Sequence, residues 1–431
     1  MSWKDYQKSL GREPQSQKWW RIPFVVGLGV LGVFYWLNPM QIPHVSSAPG
    51  SFVYQHQGVP TEVITAGVNQ VKILKNGVDL TYDLSISVAL QKFIDHKLQK
   101  YQLDWAGVAV MEPDTGRVLA LSSYSAKDPS QSLLSLQATF PAASIFKVVT
   151  AGALLEETTK SSSSVFKYAG DMRKIRKKYL HSNYQGTSMS LSKAFAKSAN
   201  GIFGVIGSKY LNQHVLENYA QRFGFNEKIP FDLPVEISKV SIEKMQQASD
   251  VDTAKLAAGF GNVTLSPLHG AMIAASAVTD GMMMRPVLVD RVRSDEGVIF
   301  QAHPEVWKNP FSKKIAKDMR VMMQNTVTSG TARRVFSRSR NHPVLKNLEI
   351  GGKTGSLYGK NPRGRNEWFV SYAVDANSGK KLAVGVVIVN EKYWKIKPAQ
   401  LTQWIYQEYF KQNAEGNVLA SMGNNGSKHG S

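Results

Sequence analysis

This 431-residue chain contains no cysteine. That absence excludes disulfides, thiol catalysis, cysteine-ligated zinc and a lipid-anchored N-terminal cysteine, and it fits an extracytoplasmic bacterial protein. Acidic residues are scarce: 32 Asp and Glu stand against 52 Lys and Arg, for a formal net charge of +20. The nine histidines show no metal-ligand spacing, so no metal and no other cofactor is expected. Internal repeats are missing. Long apolar runs are nearly missing too, with one exception from Trp19 to Leu37, where Arg21 is the one charge.

That run has the length of a bilayer span. At ~1.5 Å per residue it covers about 28 Å. Trp19, Trp20, Tyr35 and Trp36 sit near its two ends, where amphipathic rings favour the interfaces. Ahead of and into it, Lys4, Lys8, Arg12, Lys18 and Arg21 outnumber Asp5 and Glu13, which places the N-terminus in the cytoplasm. The expectation is a basic cytoplasmic segment (1–18), one transmembrane helix (19–37) and an extracytoplasmic remainder on the bacterial cytoplasmic (inner) membrane. A cleaved signal peptide is the competing reading. Its cut would follow Ser46-Ser47-Ala48, but Pro49 opposes cleavage there. Gly27-Leu28-Gly29-Val30-Leu31-Gly32 matches a dinucleotide fingerprint in letters only, because no strand–turn–helix unit surrounds it. The basic excess invites a nucleic-acid reading. Its densest cluster, Lys167, Arg173, Lys174, Arg176, Lys177 and Lys178, lies beside Tyr168 and Tyr179 without a nucleic-acid motif. A solvated face, anionic lipid or wall polymer suits it better, and no nucleic-acid partner is expected.

Three short motifs carry chemistry: Ser144-Ile145-Phe146-Lys147, Ser198-Ala199-Asn200 and Lys353-Thr354-Gly355. Singly they are weak, since Ser-x-x-Lys recurs at Ser164, Ser190 and Ser241. Context separates them. Ser144 follows Phe140-Pro141-Ala142-Ala143 and precedes the apolar run Val148 to Leu155, as at a buried helix N-terminus with Lys147 one turn on. Ser164 and Ser241 lie in polar or charged stretches that suit turns and caps. Lys353 precedes two strand-like runs, 367–374 and 382–389, which suggests three adjacent antiparallel strands. Gly355 on a strand marks close backbone approach, for which a substrate peptide along the sheet edge is one candidate. A serine hydroxyl needs a base, and Lys147 can be that base if burial and the neighbouring Lys353 cation lower its pKa.

This motif set resembles the transpeptidase domain of the penicillin-binding proteins. The resemblance runs from about Gly77 to Gln412. It includes a hairpin of 107–111 and 117–120 around Pro113-Asp114-Thr115-Gly116, and Phe231-Asp232-Leu233-Pro234-Val235-Glu236. It also includes Gly259-Phe260-Gly261-Asn262, Ser266-Pro267-Leu268 and Gly330-Thr331-Ala332-Arg333. It implies an α+β fold: a five-stranded antiparallel sheet flanked by helices, a mostly helical subdomain and the N-terminal transmembrane helix. It implies Ser144 as nucleophile, Lys147 as base, Ser198 as proton relay and Asn200 as a contact to the substrate backbone. Lys353, Thr354, Gly355 and Ser356 would bind the donor's terminal carboxylate, with backbone N–H groups of Ser144 and Ser356 holding the oxyanion. The implied ligands are peptidoglycan stem peptides ending in D-Ala-D-Ala, and β-lactams. Ser356 and Ser266 stand where many members carry threonine, and the basic loop Leu357 to Arg365 matches no common pattern.

Residues 38–77 form a proline-containing connector with room for a strand or two, too short for a glycosyltransferase domain, so a separate glycan polymerase and other cell-wall membrane proteins are implied partners. The transpeptidase domain would occupy 78–412, with a polar, disordered tail at 413–431. Four functions remain open: DD-transpeptidase, DD-carboxypeptidase with the same site, β-lactamase with Glu236 as its second base, and a non-catalytic membrane scaffold or receptor.

Overall fold

The computed structural model describes residue 59 and residues 61–180, 186–240, 249–337 and 339–426. The expected cytoplasmic segment, the transmembrane run 19–37, the first part of the connector, Ser241 and residues 427–431 lie outside the described residues. Among the described residues, no helix is long and apolar enough to cross a membrane.

The first half of the chain supplies β1 (Gln70–Lys75), β2 (Val78–Leu84), α1 (Val88–Lys100), β3 (Trp105–Met111), β4 (Val118–Tyr124) and α2 (Lys147–Glu157). Helices α3 (Leu191–Ala196), α4 (Asn200–Lys209), α5 (Gln213–Arg222), α6 (Asp250–Ala257) and α7 (Pro267–Ala275) follow. The remainder gives β5 (Val289–Ser294), β6 (Gly297–Gln301), α8 (Lys313–Thr328), β7 (Leu348–Lys360), β8 (Arg363–Asp375), β9 (Lys381–Asn390) and α9 (Pro398–Gly426).

The main sheet has the order β7-β8-β9-β3-β4, antiparallel throughout. This is the expected five-stranded sheet, with the three C-terminal strands adjacent. In β9 every residue after Lys381 is buried, because both faces are covered. Val384, Val386 and Ile388 pack with Leu90 of α1 and Ile405 of α9. Ala383, Val387 and Val389 belong to the opposite core, with Ala271 of α7. At ~1.5–3 kcal/mol per buried aliphatic side chain, this layering is a main source of stability. Ser266 opens α7 as its N-cap, accepting from the His269 N–H at 3.2 Å, and Pro267 starts the helix. The Ser266 departure from threonine therefore keeps the hydroxyl the cap requires.

Helix α2 is buried continuously from Lys147 to Leu155, and α4, α5 and α8 pack around it. Its sequence is apolar all round, as a helix enclosed on every side must be.

Two boundaries differ from the sequence expectation. A second sheet, β1-β2-β5-β6, takes in part of the connector. Residue 77 is the tip of the β1–β2 hairpin, where Asn76 and Gly77 have φ of 52° and 79°, as an Asn-Gly hairpin turn demands. The tail at 413–431 was expected to be disordered, yet α9 continues to Gly426. Ala414, Glu415, Leu419, Ala420 and Met422 are helix formers, and extending a helix already docked needs no new nucleus.

Gly385 tests the sheet–helix contact. A Cβ there would lie 2.0 Å from the Pro267 carbonyl oxygen. Gly385→Val should therefore destabilise the fold by about 3 kcal/mol or more, measured by urea unfolding. A loss below about 1 kcal/mol would show that α7 moves freely on the sheet.

Candidate active site

Ser144, the candidate nucleophile, sits on a turn fixed from several sides. Phe140 and Pro141 pair with Leu265 and Thr264. The Pro141 carbonyl accepts the Trp368 indole N–H at 2.9 Å, and the Ala142 N–H donates to Val263 O at 2.9 Å. Pro141 thus lies on a short strand and does not open the helix. The chain then passes through Ala143, with φ of 50°, into a 3₁₀ turn, Ala143–Phe146, that runs on into α2. Ser144 stands on that turn. Gly259 makes room for it: with φ of 85°, its Cβ would fall 1.9 Å from Ala143 O. On β7, a Cβ at Gly355 would lie 3.3 Å from Ala142 O and from Ile145 Cγ1. The backbone approach that Gly355 signals is therefore, first of all, that of the protein's own turn at Ala142 and Ile145, which carries Ser144.

Lys147 is 0% exposed. Its Nζ lies 2.8 Å from Ser144 Oγ, 2.8 Å from Asn200 Oδ1 and 2.7 Å from Ala258 O. Two of these partners are carbonyl-type oxygens, which only accept. They take the two N–H bonds of a neutral amine, leaving its lone pair to receive the Ser144 proton. Burial, and then the charge of Lys353, hold the Lys147 pKa well below the usual lysine value. The shift favours the neutral amine, the form that can accept a proton. The Phe203 ring, 5.5 Å from Nζ, stabilises the ammonium form transiently produced.

Ser198 ends α3 in a left-handed conformation, with φ of 55°. Its N–H donates to Phe195 O at 3.0 Å, and the Ala199 N–H donates to Ala194 O at 2.9 Å. This paired bonding is the Schellman termination, whose left-handed residue is usually glycine. A serine here directs its hydroxyl to Lys353, whose Nζ donates to Ser198 Oγ at 3.0 Å and to Thr354 O at 2.9 Å. Lys353 is also 0% exposed, and burial pushes its pKa down to about 7. Its amine is thus spent on Ser198 and not presented on the open face of the strand. The Asn200 amide is engaged at both ends, since Nδ2 donates to Arg173 O at 2.8 Å.

Ser144, Lys147, Ser198, Asn200 and Lys353 therefore form one connected site, and Gly355 packs on the turn that carries Ser144. Thr354 and Ser356 lie beside it on β7, and each hydroxyl has a partner that sequence reasoning did not assign. Thr331 Oγ1 pairs with Thr354 Oγ1 at 2.5 Å, and Arg365 Nε donates to Ser356 Oγ at 2.9 Å. The Gly330-Thr331 stretch had been noted only as a family landmark. The other Ser-x-x-Lys serines within the described residues have local roles: Ser190 caps α3, and Ser164 Oγ accepts from the Ser161 N–H. The basic cluster wraps around Tyr168, whose buried hydroxyl donates to Lys174 O and accepts from the Arg176 N–H. That ring anchors the loop and is not an open stacking surface. Two surface cavities of about 430 and 380 Å³ contain none of the motif residues.

The family described as penicillin binding protein transpeptidase domain matches residues 106–407. The chain belongs to this family. It is 26% identical over 301 residues to stage V sporulation protein D of Bacillus subtilis, covering 65% of this chain and 44% of that protein. It is also 26% identical over 315 residues to the peptidoglycan D,D-transpeptidase PbpA of Mycolicibacterium smegmatis, covering 65% and 61%. It thus spans less than two thirds of either relative. The solved D,D-transpeptidase domain of a peptidoglycan glycosyltransferase from Eggerthella lenta shares the fold. There the TM-score is 0.63 at 24% identity, over 77% of this chain and 83% of that one.

Two outcomes follow from the buried groups of this transpeptidase-family site. Ser198→Gly should slow acylation of Ser144 while changing stability by less than about 1 kcal/mol, because relief of the left-handed serine is offset by loss of the hydroxyl that accepts from the buried Lys353 amine. Acylation kinetics and thermal melting read the two effects, and wild-type acylation rates in the variant contradict the role given to the Ser198 hydroxyl. Lys353→Met should stabilise. An unfolded lysine keeps its proton up to about 10.4, whereas the folded one loses it near 7. Between those values the unfolded chain binds more protons, so raising pH relieves the burial cost, which is full below pH 7. The gain from Lys353→Met should accordingly be about 2 kcal/mol smaller at pH 9 than at pH 6, by urea unfolding. Equal gains at both would refute a folded-state pKa near 7.

Proposed function

We propose that the chain is a peptidoglycan DD-transpeptidase, working through a Ser144 acyl-enzyme and inhibited by β-lactams. The observation that carries this is the buried Lys147 amine, 2.8 Å from Ser144 Oγ, with its two other sites filled by acceptors. Neutral Lys147 takes the Ser144 proton as Oγ attacks the carbonyl of the donor's penultimate D-Ala. The oxyanion is held by the N–H groups of Ser144 and Ser356. Collapse breaks the peptide C–N bond, and Ser198, backed by Lys353, passes the proton held by Lys147 to the leaving D-Ala amine, which returns Lys147 to its neutral form. The acceptor amine then attacks the ester and loses a proton to Lys147, the ester C–O bond breaks, and that proton returns to Ser144 Oγ as the new peptide bond forms. Relatives bearing D,D-transpeptidase names support this reading.

Glu236 is a poor candidate for a hydrolytic base. Its carboxylate accepts the Ala138 N–H at 2.8 Å, which ties down a neighbouring loop. A long-lived acyl-enzyme, and not rapid β-lactam hydrolysis, is the corresponding expectation. The reading keeps residues 19–37 as a single membrane anchor, with a separate glycan polymerase as partner.

Labelling with a fluorescent penicillin tests it. Wild type and Ser164→Ala should form a stable covalent band, Ser144→Ala none, and Lys147→Ala should acylate about 10³-fold more slowly or worse. Consumption of penicillin without a band points to a β-lactamase. Neither band nor consumption by folded protein refutes the catalytic reading. Donor peptide supplied with and without an acceptor amine then separates transpeptidation from carboxypeptidation.

A further inference from the structure

A strongly basic stretch of the chain borders the site just described. From Lys160 to Asn200, nine Lys and Arg stand against one acid, Asp171. Residues 172–179 sort their side chains. Met172, Ile175 and Tyr179 pack against the main core, while Arg173, Lys174, Arg176, Lys177 and Lys178 are exposed. The backbone between them is pinned. The Tyr168 hydroxyl donates to Lys174 O at 2.7 Å and accepts from the Arg176 N–H at 3.1 Å, and the Gly201 N–H donates to Met172 O at 2.9 Å. Among the described residues one carboxylate answers these cations: Asp171, 3.2 Å from Arg173 Nε. Like charges crowded onto a fixed loop repel one another, and a bound anion relieves that repulsion.

A second basic group lies across the site. The first loop reaches the site at Asn200, whose Nδ2 donates to Arg173 O. On the far side, Thr331 Oγ1 pairs with Thr354 Oγ1, and the Thr331 N–H donates to Ala196 O at 3.1 Å. Lys197, next to that carbonyl, and Arg333 and Arg334, just past Thr331, are exposed. None of these three has a carboxylate partner among the described residues. Ser198 and Lys353, bonded to each other, lie between the two groups.

The spread of charge selects the ligand. A single phosphate reaches one or two of these side chains. A chain of closely spaced phosphates reaches many, and each cation that displaces a condensed counterion adds to the affinity. A flat anionic membrane seated on both groups would cover Ser144, whereas a narrow polymer leaves it open.

We propose that the loop 172–178, together with Lys197, Arg333 and Arg334, is a docking surface for a linear phosphodiester polymer of the cell wall, held at the edge of the acyl-transfer site. The choice of a wall polymer over a membrane rests on the acyl-transfer reading above; the anion-binding surface itself does not.

The test titrates the full chain in detergent into end-labelled linear inorganic polyphosphate and reads fluorescence anisotropy at several salt concentrations. Thermal melts and penicillin labelling check the fold and the acyl-transfer site in the same samples. Combining Arg173→Gln, Lys174→Gln, Arg176→Gln and Lys177→Gln should weaken binding about 10- to 100-fold at low salt and flatten its salt dependence. Arg333→Gln with Arg334→Gln should weaken it less. Lys72→Gln, Lys75→Gln, Lys92→Gln and Lys100→Gln together remove the same charge from exposed positions on β1 and α1, and should leave Kd within about 2-fold. Acetylation of Lys174, Lys177 and Lys197, read by peptide mass spectrometry, locates the ligand. Polyphosphate should protect them in protein held in phosphatidylcholine nanodiscs, and phosphatidylglycerol nanodiscs without polymer should not. Wild-type affinity in the four-residue loop variant, with penicillin labelling intact, overturns the inference alone. An equal loss in the β1 and α1 control also overturns it, because the effect would then be net charge. Protection by phosphatidylglycerol alone overturns it in favour of a lipid surface. Folded protein that binds polyphosphate but forms no penicillin adduct overturns the acyl-transfer reading, and with it the wall polymer as occupant.

Discussion

Keeping two lysine amines out of water is the constraint on which the rest of this structure depends. A charged amine loses a large hydration energy on burial, so the neutral form gains ground. That shift is what the proposed role of Lys147 as a base depends on, and it requires a dry enclosure in which the amine's N–H groups have acceptors. Helix α2 supplies it by being apolar on all sides and wrapped by α4, α5 and α8. The partners given to the amines are hydroxyls and carbonyls, with Phe203 and Phe195 as the nearest rings. A carboxylate in either place would restore the charge and remove the base.

The second requirement is close backbone approach. Ser144 lies where the strand β7, the loop at Gly259 and the start of α2 converge; a Cβ at Gly259 would overlap Ala143 O, and one at Gly355 would be tight, at 3.2 to 3.3 Å from its neighbours. Gly259 and Gly355 satisfy this on two sides, and Gly330 does the same for the loop bearing Thr331, where a Cβ would meet Ala196 O at 2.4 Å. Ser198 runs the opposite way: a position whose backbone favours glycine holds a side chain because the chemistry needs a hydroxyl there. The sheet holds these pieces in register, since β8 carries Trp368, which grips the strand leading to Ser144.

Much of this was legible in the sequence. The three motifs, the uninterrupted apolar run after Lys147 and the paired strand-like runs after Gly355 are local patterns, and local patterns survive without coordinates. Gly355 was read correctly as a point of close approach, but the approaching group belongs to residue 142, more than two hundred positions away. Thr331 and Arg365 escaped for the same reason. Each acts through one hydrogen bond to a hydroxyl on another element, and neither stands at a diagnostic spacing from it. The connector had room for a strand or two, and Gln70–Lys75 is one, but its pairing across the Asn76-Gly77 turn with the next strand was not read. The helical continuation past residue 412 was hidden by an asparagine- and glycine-rich end that follows a good helix former, Met422.

The glycine contacts around Ser144 also bear on how such a site changes over generations. Gly259 meets a carbonyl of the main chain, which cannot rotate aside as a side chain does. Variation there is closed off, and at Lys147 it removes the amine beside Ser144. The outer face of the β7–β8 hairpin has neither restriction. Tyr358, Lys360 and Arg363 project from a scaffold whose pairing is set by the backbone, so drift in ligand preference, including escape from an inhibitor, is channelled into those few exposed positions.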